Sequence, residues 1–243
     1  MNLPRERDEN LLALLRICED ETPYEIPVRH LSSDGREVVI ISDLHMSEGR
    51  TPAGTYEGTE NFFADESFRR LLESLADSGD RSRMLVLNGD VIDFLRVVSV
   101  PETDDDFVEW GRMLHAVGLE EWTPESLKER VTDREREFGL KTHDFKSVWK
   151  LDRAMQGHPP VFDALAEWIY DGNFIVILKG NHDLEWYWRL VRDYLRLALS
   201  ALMTGRHPEA APSGSLKKVL DNLAITDDVL LIDGAVYVEH GHR

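Results

Sequence analysis

Three runs of consecutive apolar residues set the rhythm of this chain: positions 38–41 (Val-Val-Ile-Ile), 84–87 (Met-Leu-Val-Leu) and 174–178 (Phe-Ile-Val-Ile-Leu). Each is short, aliphatic or β-branched and unbroken by polar positions. That pattern predicts parallel strands with helices on both faces. Between the first two runs, Phe68, Leu71, Leu72 and Leu75 recur at helical spacing, and Ser78-Gly79 end the segment. Before the third, Pro159-Pro160 open a segment with Phe162, Leu165, Ala166 and Ile169 on one face, and Asp171-Gly172-Asn173 close it. Strand, helix, strand, helix, strand is the order of a parallel-sheet α/β protein.

The stretch from about 95 to 158 interrupts this order. It holds an acidic turn (Asp104-Asp105-Asp106), then patterns for helices over 107–117, 124–138 and 144–155, which carry Trp110, Trp122 and Trp149. It is too long for a simple loop and reads as a helical insertion beside the site. Aromatic residues at helical spacing are more often core than pocket wall. A further long helix is expected over 184–203, with Trp186-Tyr187-Trp188 at its start, followed by a Pro- and Ala-containing connection over 207–214. Near the end, two apolar runs flank Asp233-Gly234, a hairpin signal. No internal repeat or low-complexity segment is seen. The expected division is an N-terminal helix and linker over 1–30, then one domain over 31–243 that includes the insertion.

The 243 residues, 42% hydrophobic and 30% charged, suit one large globular domain. The net charge of −18 argues against broad binding to nucleic acid or anionic membranes, because long-range attraction to phosphate backbones is replaced by repulsion. No run approaches the roughly 20 apolar residues of a spanning helix, and the N-terminus lacks a signal-peptide core. A lone cysteine, Cys18, sits among Leu11, Leu14, Leu15 and Ile17 and reads as a buried helix residue. A cytoplasmic location is the expectation.

Four polar clusters follow apolar runs: Asp43-Leu44-His45, Gly89-Asp90-Val91-Ile92-Asp93, Gly180-Asn181-His182-Asp183 and His240-Gly241-His242. In an extended chain Asp43 and His45, two residues apart, face the same way and can grip one ion. Gly89 allows a tight turn and close approach to a ligand. Each cluster has a plain alternative: a surface turn, a helix-capping Asp93 or Asp183, a solvated tail. Independent surface turns do not explain all four arising after strands. Carboxylate, amide and imidazole donors gathered in this way form the ligand set of a two-metal hydrolytic site, suited to Mn, Fe or Zn. The other histidines, His30, His115, His143, His158 and His207, read as ordinary exposed or partly buried residues.

In this order, Asp43-x-His45, Gly89-Asp90-x-x-Asp93, Gly180-Asn181-His182-Asp183 and His240-Gly241-His242 resemble the motifs of the calcineurin-like metallophosphoesterase superfamily, over about residues 37–243. Their setting is similar to the branch with sugar-nucleotide pyrophosphatase-type enzymes. The resemblance implies an αββα sandwich, two mixed sheets flanked by helices, with a dinuclear centre at the strands' C-terminal ends. It implies that Asp43, His45 and Asp90 hold one divalent cation, and that Asp90, Asn181 and His240 hold the other. A bridging hydroxide would attack phosphate esters or anhydrides of a small phosphorylated substrate, His182 would protonate the leaving oxygen and Asp93 would fix its tautomer. The family pattern continues with a further Gly-His-x-His, and nothing follows Arg243. By the same likeness one ligand of each metal and the last strands of the second sheet are expected to be missing. A non-catalytic metal- or protein-binding protein of the same fold, or an inactive fragment, is the competing expectation.

Overall fold

The computed structural model describes residues 3–17, 28–51, 53–77, 82–226 and 229–241. The three apolar runs become β2 (Glu37–Ile41), β3 (Arg83–Asn88) and β4 (Phe174–Leu178), and β5 (Leu223–Thr226) joins them in a four-stranded sheet of order β2-β3-β4-β5. Every pairing in this sheet is parallel among the described residues, with Leu85 opposite Ile175 and Ile175 opposite Leu223. A second sheet is mixed: β1 (Arg29–Leu31) runs parallel to β6 (Val229–Ile232), which pairs antiparallel with β7 (Val236–Glu239). The expectation of two mixed sheets therefore holds for the smaller sheet and not for the larger.

Strand residues alternate between two compartments. Leu85, Leu87, Ile175, Ile177, Leu223 and Ile225 join the main core under the helices. Met84, Val86, Val176, Leu178 and Ala224 turn the other way, onto Leu230, Ile232 and Val238 of the smaller sheet. The strands are continuously apolar because both faces are covered, by helices on one side and by a sheet on the other, not by helices on both. The chain changes sheet between β5 and β6, and the Asp233-Gly234 hairpin turn takes both residues into positive φ, 53° and 66°. The outward face of β7 leaves Val236 and Tyr237 exposed.

Nine α-helices are found among the described residues. The first, α1 (Glu9–Ile17), stops short of Cys18, which lies outside the described residues, as do Ser78 and Gly79. In α2 (Asp65–Asp77), Phe68 and Leu72 are buried, whereas Leu71, expected on the same face, is exposed. The expected acidic turn is the first turn of α3 (Asp104–Ala116), where the Thr103 side chain accepts from the Asp106 amide and Asp106 reciprocates in a capping box. Acidic residues are favoured there by the helix dipole. The helix expected over 124–138 is two, α4 (Pro124–Glu129) and α5 (Asp133–Phe138), because Thr132 and Glu135 form a second capping box. Next come α6 (Asp144–Gly157) and α7 (Pro159–Tyr170), the latter with proline in its first turn. The helix expected from 184 is broken: a 3₁₀ turn (Leu184–Tyr187) ends at Trp188 in extended backbone, and α8 (Arg189–Arg206) starts there, followed by α9 (Pro212–Asn222).

Trp110 and Trp149 of the inserted helices are buried with Phe107, Met113 and Leu114 in the same core that underlies the large sheet. The insertion is thus part of the core. No helix of the described residues is long and apolar enough to cross a membrane.

Candidate metal centre

Beyond the C-terminal ends of β2 and β3 the chain keeps pairing, but in a distorted form. The amide of Asp43 donates to the Gly89 carbonyl (3.2 Å), that of His45 to Asp90 (2.8 Å) and that of Met46 to Val91 (3.1 Å). The Asp93 amide returns to Met46 (2.8 Å). Asp43, His45 and Asp90 all take positive φ, at 58°, 51° and 53°. Such backbone costs about 1–3 kcal/mol per residue and is held only where its surroundings impose it. Asp43 and His45 therefore converge by this left-handed geometry, not by the extended alternation expected from sequence. Gly89 has φ 76°, and a side chain there would collide with the His240 ring; one at Gly180 would collide with Asp90.

Asp90 is 3% exposed and lies at the centre. Its Oδ2 is 3.1 Å from His240 Nε2 and 3.5 Å from His45 Nε2, and its Oδ1 accepts the His182 amide at 2.9 Å. Two donor groups meet there, His45 with Asp90 and His182, and Asp43 with Asp90 and His240, each with ligand atoms within 4.8 Å of one another. Asp43, by contrast, is exposed and 3.8 Å from His45 Nε2. The grouping crosses the sequence-based division: Asp43 stands with His240, and His182 stands beside His45. Asn181 is exposed on the loop just before His182, and His242 lies outside the described residues.

The chemistry of this donor set fits a cation. His240 Nδ1 is 2.8 Å from the Asn88 carbonyl, which can only accept, so Nδ1 carries the proton. Its Nε2 lone pair then faces the Asp90 carboxylate at 3.1 Å, two bases turned on each other. Something positive must lie between them, a proton or a metal. Burial draws the His240 imidazole down, but the Asn88 hydrogen bond and the charges of Asp90 and Asp43 outweigh it and hold it above its ordinary value. Asn88 also reaches back through Nδ2 to the Glu239 carbonyl (3.2 Å), fixing the end of β7 against β3.

Asp93, 1% exposed, stands one step from the centre. Its Oδ2 is 3.0 Å from His182 Nδ1, 3.6 Å from His45 Nδ1 and 3.2 Å from Arg96 Nε. It is followed by a turn, with the Arg96 amide on the Asp93 carbonyl, and so caps no helix. The His45 and His182 rings meet edge to face with centroids 4.9 Å apart. Asp183, readable from sequence as a helix cap, makes no capping bond. It is fully buried instead, accepting from the amides of Gly180 and Val91 and from Trp186 Nε1, and burial raises its carboxyl to about 6. It fastens the loop bearing His182 to the loop bearing Asp90. The run of Gly-Asn-His-Asp signals a polar loop, but nothing in it separates a buried brace from a cap.

Of the remaining histidines, His30, His115 and His143 are exposed and His207 is half-buried against Tyr170. His158 departs from expectation: it is wholly buried, with Nδ1 at 2.7 Å from Asp65 and Nε2 at 3.0 Å from Glu60. Its neighbours in sequence, Gly157 and Pro159, gave no sign of two carboxylates more than ninety residues away.

Comparison of the chain with protein-family models, with curated proteins and with solved structures returns no match.

Proposed function

We propose that this chain is a metal-dependent phosphoesterase of the calcineurin-like kind, hydrolysing phosphate esters or anhydrides of a small substrate. The observation that carries the reading is Asp90, buried and common to two groups of carboxylate and imidazole donors, with the His182–Asp93 pair beside it. The stacking of helices, four-stranded sheet and three-stranded sheet supports an αββα sandwich, in which a further helical layer would cover the outer face of β7.

Asp43, His45, Asp90, Asn181 and His240 would hold two divalent cations, Mn, Fe or Zn. Those cations supply charge neutralisation at the phosphoryl group and a water acidified towards neutral pH. The protein's own residues do the rest. Asp93 faces Nδ1 of His182 and so leaves Nε2 to carry the proton for the departing oxygen, a general-acid role worth about 10²–10⁴-fold. Arg96 Nε lies 3.2 Å from the same Asp93 Oδ2 and so helps to hold that carboxylate in place. Left-handed backbone at Asp43, His45 and Asp90 fixes the donors in advance, so that little reorganisation is needed on binding.

The test is hydrolysis of bis(p-nitrophenyl) phosphate by protein loaded with Mn, read together with metal content. Turnover that disappears in Asp90→Asn is expected. Two bound metals with no turnover on any phosphoester would overturn the enzyme reading in favour of a non-catalytic metal-binding protein. A non-catalytic protein has little use for the His182–Asp93 pair, which is why the enzyme is preferred.

A further inference from the structure

Lys150 is 2% exposed in the middle of α6, between the buried Trp149 and Leu151. An ammonium in such a position is costly unless its hydrogen bonds are supplied. Its Nζ donates to the backbone carbonyl of Phe94 at 2.9 Å. The amide of that same residue donates to the carbonyl of His182 at 3.2 Å, and the residue before it is Asp93, whose Oδ2 faces His182 Nδ1. The Phe94 ring packs edge to face on Trp186, 5.7 Å between centroids. One segment is therefore held on three sides: by the insertion, by the His182 loop and by the core.

The other buried lysine of α6 is a useful control. Lys146, one turn earlier, ends on Glu135 Oε1 (2.5 Å) and the Arg130 carbonyl (2.7 Å), and so braces the insertion against itself. Lys150 leaves the insertion and grips the backbone of the site segment. Burial draws its ammonium below its ordinary value, and the carboxylates of Glu185, Glu48, Glu135 and Asp93 offset this only in part.

We infer that Lys150 is a positioning residue: through the Phe94 carbonyl it holds the Asp93 carboxylate close to His182 Nδ1, 3.0 Å away, so that the insertion governs proton delivery to the leaving group. The catalytic part of this inference rests on the phosphoesterase reading above. Its consequence is selective. A displaced Asp93–His182 pair matters most when the leaving oxygen is strongly basic, and least for p-nitrophenolate, which departs with little help.

The test is Lys150→Met in the full chain, loaded with Mn, with turnover compared on an alkyl and a p-nitrophenyl phosphoester. The expected loss is at least about tenfold greater on the alkyl ester, a displacement of under an ångström being enough for that, with metal content equal to wild type. Equal loss on both esters, or no loss on either, would overturn the inference. A second readout does not need turnover: the ¹⁵N resonances of the His182 imidazole should shift in the variant, and unmoved resonances would count against the role. Should the wild-type protein be inactive on both esters with metal bound, the functional reading fails while the imidazole resonances still decide the positioning. If Lys150→Met does not fold, Lys150→Gln, which is too short to reach Phe94, is put through the same measurements with the same expected outcomes.

Discussion

His158 and His240 each place Nε2 close to a carboxylate, at 3.0 Å from Glu60 and 3.1 Å from Asp90, yet the two regions are built for different ends. The second nitrogen of His158 faces another carboxylate, Asp65, at 2.7 Å. That imidazole is therefore saturated as a cation between two anions, wholly buried, and Glu60 spends its other contacts on the Ser47, Gly49, Asn61 and Phe62 amides. The second nitrogen of His240 faces a carbonyl instead, which leaves its lone pair aimed at Asp90, where His45, His182 and Asp43 also converge. One cluster is closed, with both ring nitrogens of its histidine facing carboxylates. The other is open, holds an excess of bases and sits on left-handed backbone. Histidine with aspartate or glutamate is thus no sign of a site by itself. What separates site from brace is how many donors converge on one carboxylate: four groups gather at Asp90, whereas His158 meets two carboxylates and no further imidazole. The two are also linked, since Glu60 pins Ser47, two residues after His45.

The comparison breaks most directly at Asp90. Asp90→Asn should lose bound metal and turnover together while keeping its fold, whereas Glu60→Gln should keep its metal; elemental analysis of both purified variants decides it, and metal retained by Asp90→Asn would erase the distinction. Next in size is the loss of the closed cluster. His158→Leu leaves buried carboxylates unpaired, at a cost of about 3–5 kcal/mol, which for a chain of this length lowers Tm by roughly 6–20 °C; calorimetry reads it, and an unchanged Tm would mean that His158 braces nothing.

The pH dependence of that brace has a definite sign. Burial alone would raise the Glu60 carboxyl, but His158 and the Phe62 and Gly49 amides bring it down to about 2. Its contribution is complete above its ordinary 4.5 and is lost as pH falls towards 2. Burial draws His158 down, yet Asp65 and Glu60 leave it above its ordinary 6.5, so its contribution is complete below 6.5 and is lost as pH rises through the higher folded value. Denaturant midpoints of the wild type should therefore exceed those of Glu60→Gln by the most between pH 4.5 and 6.5, and a constant difference from pH 3 to 9 would contradict the pairing.

A smaller effect belongs to Glu185, buried and in neither cluster, whose carboxyl is raised to about 7 by burial. A raised carboxyl costs stability as pH climbs from its unfolded value through its folded one. Glu185→Gln should thus be near neutral at pH 4 and more stable than wild type at pH 8, by on the order of 2–3 kcal/mol at most. Equal midpoints at pH 8 would show that Lys150 already offsets the burial.

Much of this could be read in advance. The runs that became β2, β3 and β4, the proline-opened α7 and the Asp233-Gly234 hairpin follow from local rules of burial and turn chemistry. So does the placing of Asp43, His45, Asp90, His182 and His240 at strand ends. Other features depended on partners far away in the chain. Leu71 has the spacing of a core residue and is exposed because α2 meets its neighbours along a narrower stripe. The inserted tryptophans could have lined a pocket, and only packing on α3 and α6 made Trp110 and Trp149 core. Asp183 and His158 look local and act at long range.

The sequence alone determined which residues can supply carboxylates and imidazoles and that they fall after strands, because strand periodicity and turn residues are properties of a few neighbouring positions. Only the tertiary structure decided that Asp43 stands with His240 and His182 beside His45, that His158 is held between two carboxylates, and that Lys150 reaches from the insertion to Phe94. Those facts depend on which groups lie within about 3 Å once the chain has closed, the range over which hydrogen bonds form, and no local pattern encodes that.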